Sequence, residues 1–149
     1  MKIPVAFLAD EANVSQEGKL NVLGIFDRIT ASRFPTVHPR MVFAFRVQAE
    51  YADSGRRYPV HVRLVDEDGG VMFEANGEIQ APRVEPGGFS TANQVFTLVG
   101  VRFPQPGSYK FIVHVGEQGP YETPFAVAAG EQQGNPQAGP GGTGGTGGR

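Results

Sequence analysis

Residues Lys19–Ile29 read KLNVLGIFDRI, the longest apolar-rich run in the chain that turn-forming residues bound. Both alternating registers are apolar, with Leu20, Val22 and Phe26 on one and Leu23, Ile25 and Ile29 on the other. A strand with one wet face is polar on one register, so this stretch predicts a strand covered on both faces, either central in a sheet or covered on one side by a partner. Gly24 in its middle has no side chain to pack, which predicts a bulge or the close approach of another backbone.

Alternation continues on both sides of this run. Val5–Leu8 opens a strand; Ala9–Asn13 reads either as a helical turn, which Ala and Glu favour, or as its continuation, the preferred reading, and Ser15–Gly18 turns the chain into Lys19–Ile29, with Gly18 suited to a positive φ. Arg33–Arg40 holds Pro35 and Pro39 and reads as a connection between sheets. Met41–Tyr51 sets Phe43, Phe45, Val47 and Ala49 against Arg46, Gln48 and Glu50, one face in and one face wet. Tyr58–Val65 and Val71–Ile79 form a hairpin about Asp66–Gly70, and Ala81–Ala92 crosses to the other sheet or covers an end. Gln94–Phe103, then Tyr109–Val115 after Pro104–Gly107, then Tyr121–Ala128 complete the pattern. These runs predict an all-β, immunoglobulin-like antiparallel β-sandwich of about eight strands. It occupies residues 1–129, and residues 130–149, almost all Gly, Pro, Gln and Thr, form a tail with too little apolar surface to offset the entropy of ordering it, so it is expected to be disordered.

Composition excludes several classes. Lys+Arg 13 against Asp+Glu 15 leaves no basic footprint for nucleic acid and no polybasic segment for an anionic membrane. With no Cys there is no disulfide, thiolate metal site or cysteine nucleophile. Val5–Ala9 is too short for a signal segment and meets Asp10 and Glu11 at once, so a cytoplasmic location is expected.

Residues capable of chemistry are few. The phenylalanines sit at strand spacing and read as core, and Tyr109, after Pro106-Gly107, reads as the pin of a corner. His61 and His114 fall on the polar registers of different strands and meet only if those strands are neighbours, and even then a zinc site lacks a third ligand. His38, between Val37 and Pro39, reads as an exposed loop residue. Asp66, Glu67 and Asp68, with Asp53 in another loop, resemble acidic tips that hold calcium, although Asp before Gly is ordinary turn chemistry; Asp53, Asp66 and Asp68 are the metal candidates. No phosphate loop, nucleophile elbow or dinucleotide fingerprint occurs. Asp10, Asn21, Asp27 and Arg28 interrupt apolar runs, and buried polar groups must find partners. Either Asp27 with Arg28 or Asn21 ties loops to strand ends, or Asn21 and Asp27 rim an interaction surface formed by Leu23 and Ile25.

The combination AFLADEANV, then EGKLNVLGIFDRI, then Phe34-Pro35 and His38-Pro39 before an alternating strand, resembles a bacterial family of small proteins catalogued only as a domain of unknown function. Leu98–Phe103, Pro106-Gly107 and Tyr109 resemble its closing strands. The resemblance covers approximately residues 3–128 and omits the tail. It implies a compact β-sandwich in bacterial cells and supplies no catalytic residue to carry over.

The expected function is a non-enzymatic binding or scaffolding module without a cofactor, meeting another protein or a second copy through a sheet face or an open edge strand. The alternatives are a calcium- or small-ligand-binding domain and a hydrolase with a spatially assembled site.

Overall fold

The structure is a computed structural model that describes residues 1–130; the tail expected from residue 130 onward therefore lies, apart from Gly130, outside the described residues. Nine strands are present among them: β1 (Lys2–Val14), β2 (Leu20–Phe26), β3 (Arg28–Ala31), β4 (Thr36–Glu50), β5 (Arg57–Val65), β6 (Val71–Gln80), β7 (Phe89–Phe103), β8 (Gly107–Val115) and β9 (Gln118–Ala129). A single 3-10 turn, Tyr51–Asp53, separates β4 from β5. The fold is an all-β sandwich. One sheet has the order β2-β1-β4-β7 and the other β3-β9-β8-β5-β6. All pairings are antiparallel except β3 on β9, which is parallel.

Alternation explains the core. Phe43, Phe45 and Leu8 from the first sheet face Val62, Leu64, Phe111, Val113 and Phe125 from the second, all buried. The Phe43 and Phe111 rings stack across the gap with centroids 4.2 Å apart. Burying each such side chain contributes about 1.5–3 kcal/mol, so this aromatic seam holds the layers together. Tyr109 pins its corner as read from sequence, donating its hydroxyl to the Gln105 carbonyl at 2.7 Å. Ala81–Gly88 crosses between the sheets, and Ala81 and Val84 close one end against Ala49.

Two expectations change. Thr36–Arg40 belongs to β4 and not to a loop, because Pro39 lies opposite Gly100, where the ladder is interrupted: His38 pairs Val101 and Arg40 pairs Val99. Gly100 takes φ +67, so the partner strand is itself kinked where Pro39 lacks a donor. More consequentially, Lys19–Ile29 is not a central strand. It breaks at Asp27 into β2, the edge of one sheet, and β3, the edge of the other. The Asp27 carbonyl accepts a hydrogen bond from the Ala126 amide at 2.9 Å, fixing the crossing.

Candidate functional site

The doubly apolar run owes its composition to a fold-back. Strands in a sheet lie about 4.8 Å apart, so β2 and β7, three positions apart, would be about 14 Å apart in a flat sheet. Yet the Asn93 side-chain amide on β7 donates to the carbonyl of Gly18, at the β1–β2 turn, at 2.9 Å. Leu20 and Val22 pack, with Ala12, on Val42 and Ala44 of β4 and on Val95 of β7. The hairpin thus bends over the outer face of its own sheet, where it covers residues that alternation had assigned to a wet face. Gly24 marks the bend with φ +72, and a Cβ there would collide with Oδ2 of Asp10. What approaches Gly24 is therefore a carboxylate and not a backbone.

The bend leaves Leu23 72% and Ile25 64% exposed on an edge strand. Around them, Asn21 donates to Asn13 across the hairpin at 3.0 Å, and Arg40 pairs with Glu11 at 2.8 Å. Asn21 therefore ties the hairpin, while Asp27 acts through its carbonyl at the crossing. The structure puts all four candidates, Asn21, Leu23, Ile25 and Asp27, on one surface-lying segment, each exposed.

His38 lies in β4, partly buried, with its ring 5.9 Å from that of Phe26. Burial lowers its pKa below the ordinary histidine value, against the opposing pull of Asp10 and a backbone hydrogen bond at Arg40. It is not the exposed loop residue expected, because the strand runs through Pro39.

His61 and His114 do meet, paired directly across β5 and β8, with ring centroids 6.5 Å apart. Glu74 on β6 hydrogen-bonds His61. They border an open hollow of about 420 Å³ shared with Pro59, Val60, Asn76, Gly77 and Gly116. A His–carboxylate pair can move a proton, but among the described residues no Ser or Thr lines this hollow to act as nucleophile.

The acidic loops do not converge. Asp53 lies before β5 and Asp66 after it, and nine residues of strand at about 3.4 Å each hold them roughly 30 Å apart. Asp66 Oδ1 accepts from the amides of Asp68 and Gly70, capping its own turn. Asp53 is buried and accepts from the Met1 amine at 3.2 Å, the Tyr58 hydroxyl at 2.7 Å and the Glu50 amide at 2.9 Å. Burial pushes its pKa up, but these donors outweigh it and hold the carboxyl below its usual value, while Asp53 in turn raises that of Tyr58. Asp53 and Asp66 thus hold separate structural roles at opposite ends of β5, and Asp53, Asp66 and Asp68 share no cluster among the described residues.

Sequence reading missed one feature altogether. β6 and β7 are both terminal in their sheets, and together they flank a groove of about 630 Å³ lined by Met72 and Phe73 on one side and Leu98, Val99, Val101 and Arg102 on the other. The available signal was the run Phe89–Val101, which carries neither charge nor Pro.

No helix among the described residues is long and apolar enough to cross a membrane. The family model of DUF6941, a family of unknown function, matches residues 4–128. No curated protein matches the chain. Among solved structures, a β-glucosidase from Listeria innocua in complex with gluconolactone is similar at 9% identity over 83% of this chain and 16% of its own, with a TM-score of 0.45. The alkylpurine DNA glycosylase AlkC of Pseudomonas fluorescens, bound to DNA containing an abasic site analog, is similar at 13% identity over 83% of this chain and 30% of its own, with a TM-score of 0.39. The PmoD soluble domain from Methylocystis is similar at 13% identity over 82% of this chain and 88% of its own, with a TM-score of 0.34. The chain spans 16% and 30% of the first two, and TM-scores this low transfer no activity.

Proposed function

Since the chain belongs to DUF6941, a family of unknown function, we propose from its own geometry that it is a non-enzymatic binding or scaffolding module that contacts another protein, or a second copy of itself, through edge strand β2. The observation that carries this reading is the exposure of Leu23 and Ile25, 72% and 64%, on a strand with one unpaired edge. Large side chains held in water by an ordered hairpin gain burial energy when a partner covers them, and an open edge supplies backbone hydrogen bonds at the same place. Asn21, Asn13 and the Arg40–Glu11 pair supply a polar rim. A cytoplasmic location is part of the reading, supported by a chain with no Cys and hence no need of an oxidising compartment.

The test is light scattering of the full chain across a concentration series, with affinity capture from bacterial lysate, for the wild type and the Leu23→Lys/Ile25→Lys double variant. Both side chains are exposed, so the melting temperature should hold, each change being worth within about 0.5 kcal/mol. Self-association or a captured partner should be lost in the double variant. A wild type that stays monomeric and captures the same proteins as the variant would end the idea.

A further inference from the structure

The chain itself spans one flank of the sandwich and leaves the other unspanned. On the spanned flank the chain crosses from β2 to β3 through Asp27. On the other flank β6 and β7 face each other without a strand between them, and two hollows lie in line along their seam. The larger, about 630 Å³, is bordered by Met72 and Phe73 of β6 and by Thr97–Arg102 of β7. The smaller, about 70 Å³, lies between Ala75–Ile79 of β6 and Gln94 and Phe96 of β7. Their centres on β7 are between four and five residues apart, about 15 Å of extended chain.

We infer that this seam binds an extended peptide segment of a partner protein, added as a strand to the free edge of β7, with apolar side chains four residues apart in the two hollows and an acidic side chain at Arg102. A polypeptide strand is the occupant that satisfies both features together. Along the edge, free amides and carbonyls recur every second residue, about 6.8 Å apart, a spacing another strand matches. Behind it lie apolar walls, Leu98 buried and Met72, Phe73 and Val101 half-buried. The edge lacks the usual defences: Phe89–Val101 has no Lys, Glu or Pro, and Val99 is 76% exposed.

The charges at the seam select the partner's sign. Glu74 is engaged by His61 and Glu78 by Arg57. Asp66 shares the mouth of the larger hollow, held on its own turn by two backbone amides, and it forms no ion pair with Arg102. Arg102 makes no ion pair among the described residues, leaving one cation for an acidic residue of the segment. This surface is at the opposite edge of the sheet from Leu23 and Ile25 and does not depend on them.

The experiment is calorimetry of the full chain with capped decapeptides alternating valine and threonine, carrying one aspartate or one lysine near either end, with amide NMR spectra to locate binding. Main-chain pairing dominates recognition, so peptides of this pattern suffice. The aspartate peptides should bind and shift β6 and β7 amides, and the lysine peptides should bind about tenfold more weakly. Arg102→Glu should invert that preference, and Val99→Lys should weaken both by about tenfold; Leu23→Lys should change neither. No heat at about 1 mM peptide overturns the inference, as does binding that neither Arg102→Glu nor Val99→Lys alters. Self-association abolished by Val99→Lys without peptide binding would also overturn it, assigning the seam to a second copy.

Discussion

Gly24 decides the shape of the hairpin that carries the exposed apolar pair. Its φ of +72 is one that a Cβ disfavours, and a Cβ would also meet the Asp10 carboxylate. Gly24→Ala should therefore cost about 1–2 kcal/mol from the backbone alone, read as a lower urea midpoint, with faster amide exchange in the hairpin. Asp53 is the second decisive residue, a buried carboxylate shared by the Met1 amine, the Tyr58 hydroxyl and the Glu50 amide. Because its folded pKa lies below the ordinary 3.8, its contribution is fully present above that value and lost as the pH falls through the lowered folded value. Asp53→Asn should destabilise by about 1–3 kcal/mol at neutral pH, since hydrogen bonds to a charged group are the stronger kind. The gap between variant and wild type in urea melts should narrow below pH 3.8, where the wild-type carboxyl is itself becoming neutral. A gap that widened there would assign the stabilisation to another group.

Among the elements, the β1–β2 hairpin does two things at once. Its Leu20 and Val22 side packs on Val42, Ala44 and Val95, and Leu23 and Ile25 remain in water. Val22→Asp should thus release the hairpin without unfolding the sandwich, because the cluster it joins is separate from the main core. Hydrogen exchange would report this as lost protection over residues 11–23 with the β8 amides unchanged, a local opening well below the global unfolding free energy. Loss of protection everywhere would mean that the outer cluster and the core unfold as one. β7 is the contrasting element: paired to β4 along one edge except at Gly100, and open along the other. The kink at Gly100 is the one positive-φ position along its length.

At the scale of the whole molecule, the two sheets are joined by aromatic packing, with Phe43 on Phe111 and Phe103 edge-on to Tyr109 and Phe125. Phe43→Ala should cost about 3–5 kcal/mol, and adding Phe111→Ala should cost less than the sum, since their shared contact is lost only once; chemical denaturation of the three variants measures both. Full additivity would show that the sheets are not coupled through this pair. By itself the sequence determined the strands at Met41–Glu50, Tyr58–Val65, Val71–Ile79 and Tyr109–Val115, the turns at Gly18 and Asp66–Gly70, the Tyr109 corner and the phenylalanine core. Those are local facts, written in alternation, turn chemistry and side-chain size within a few residues. Tertiary structure alone decided that Lys19–Ile29 divides between two edges, that His61 faces His114, that Asp53 and Asp66 stand at opposite ends of β5, and that β6 and β7 leave a seam. Each depends on which distant strands pair and where the chain crosses between sheets. An apolar register reads the same whether its cover is the core, the outer face of its own sheet or a partner, because burial is a property of what lies opposite and not of the residue itself.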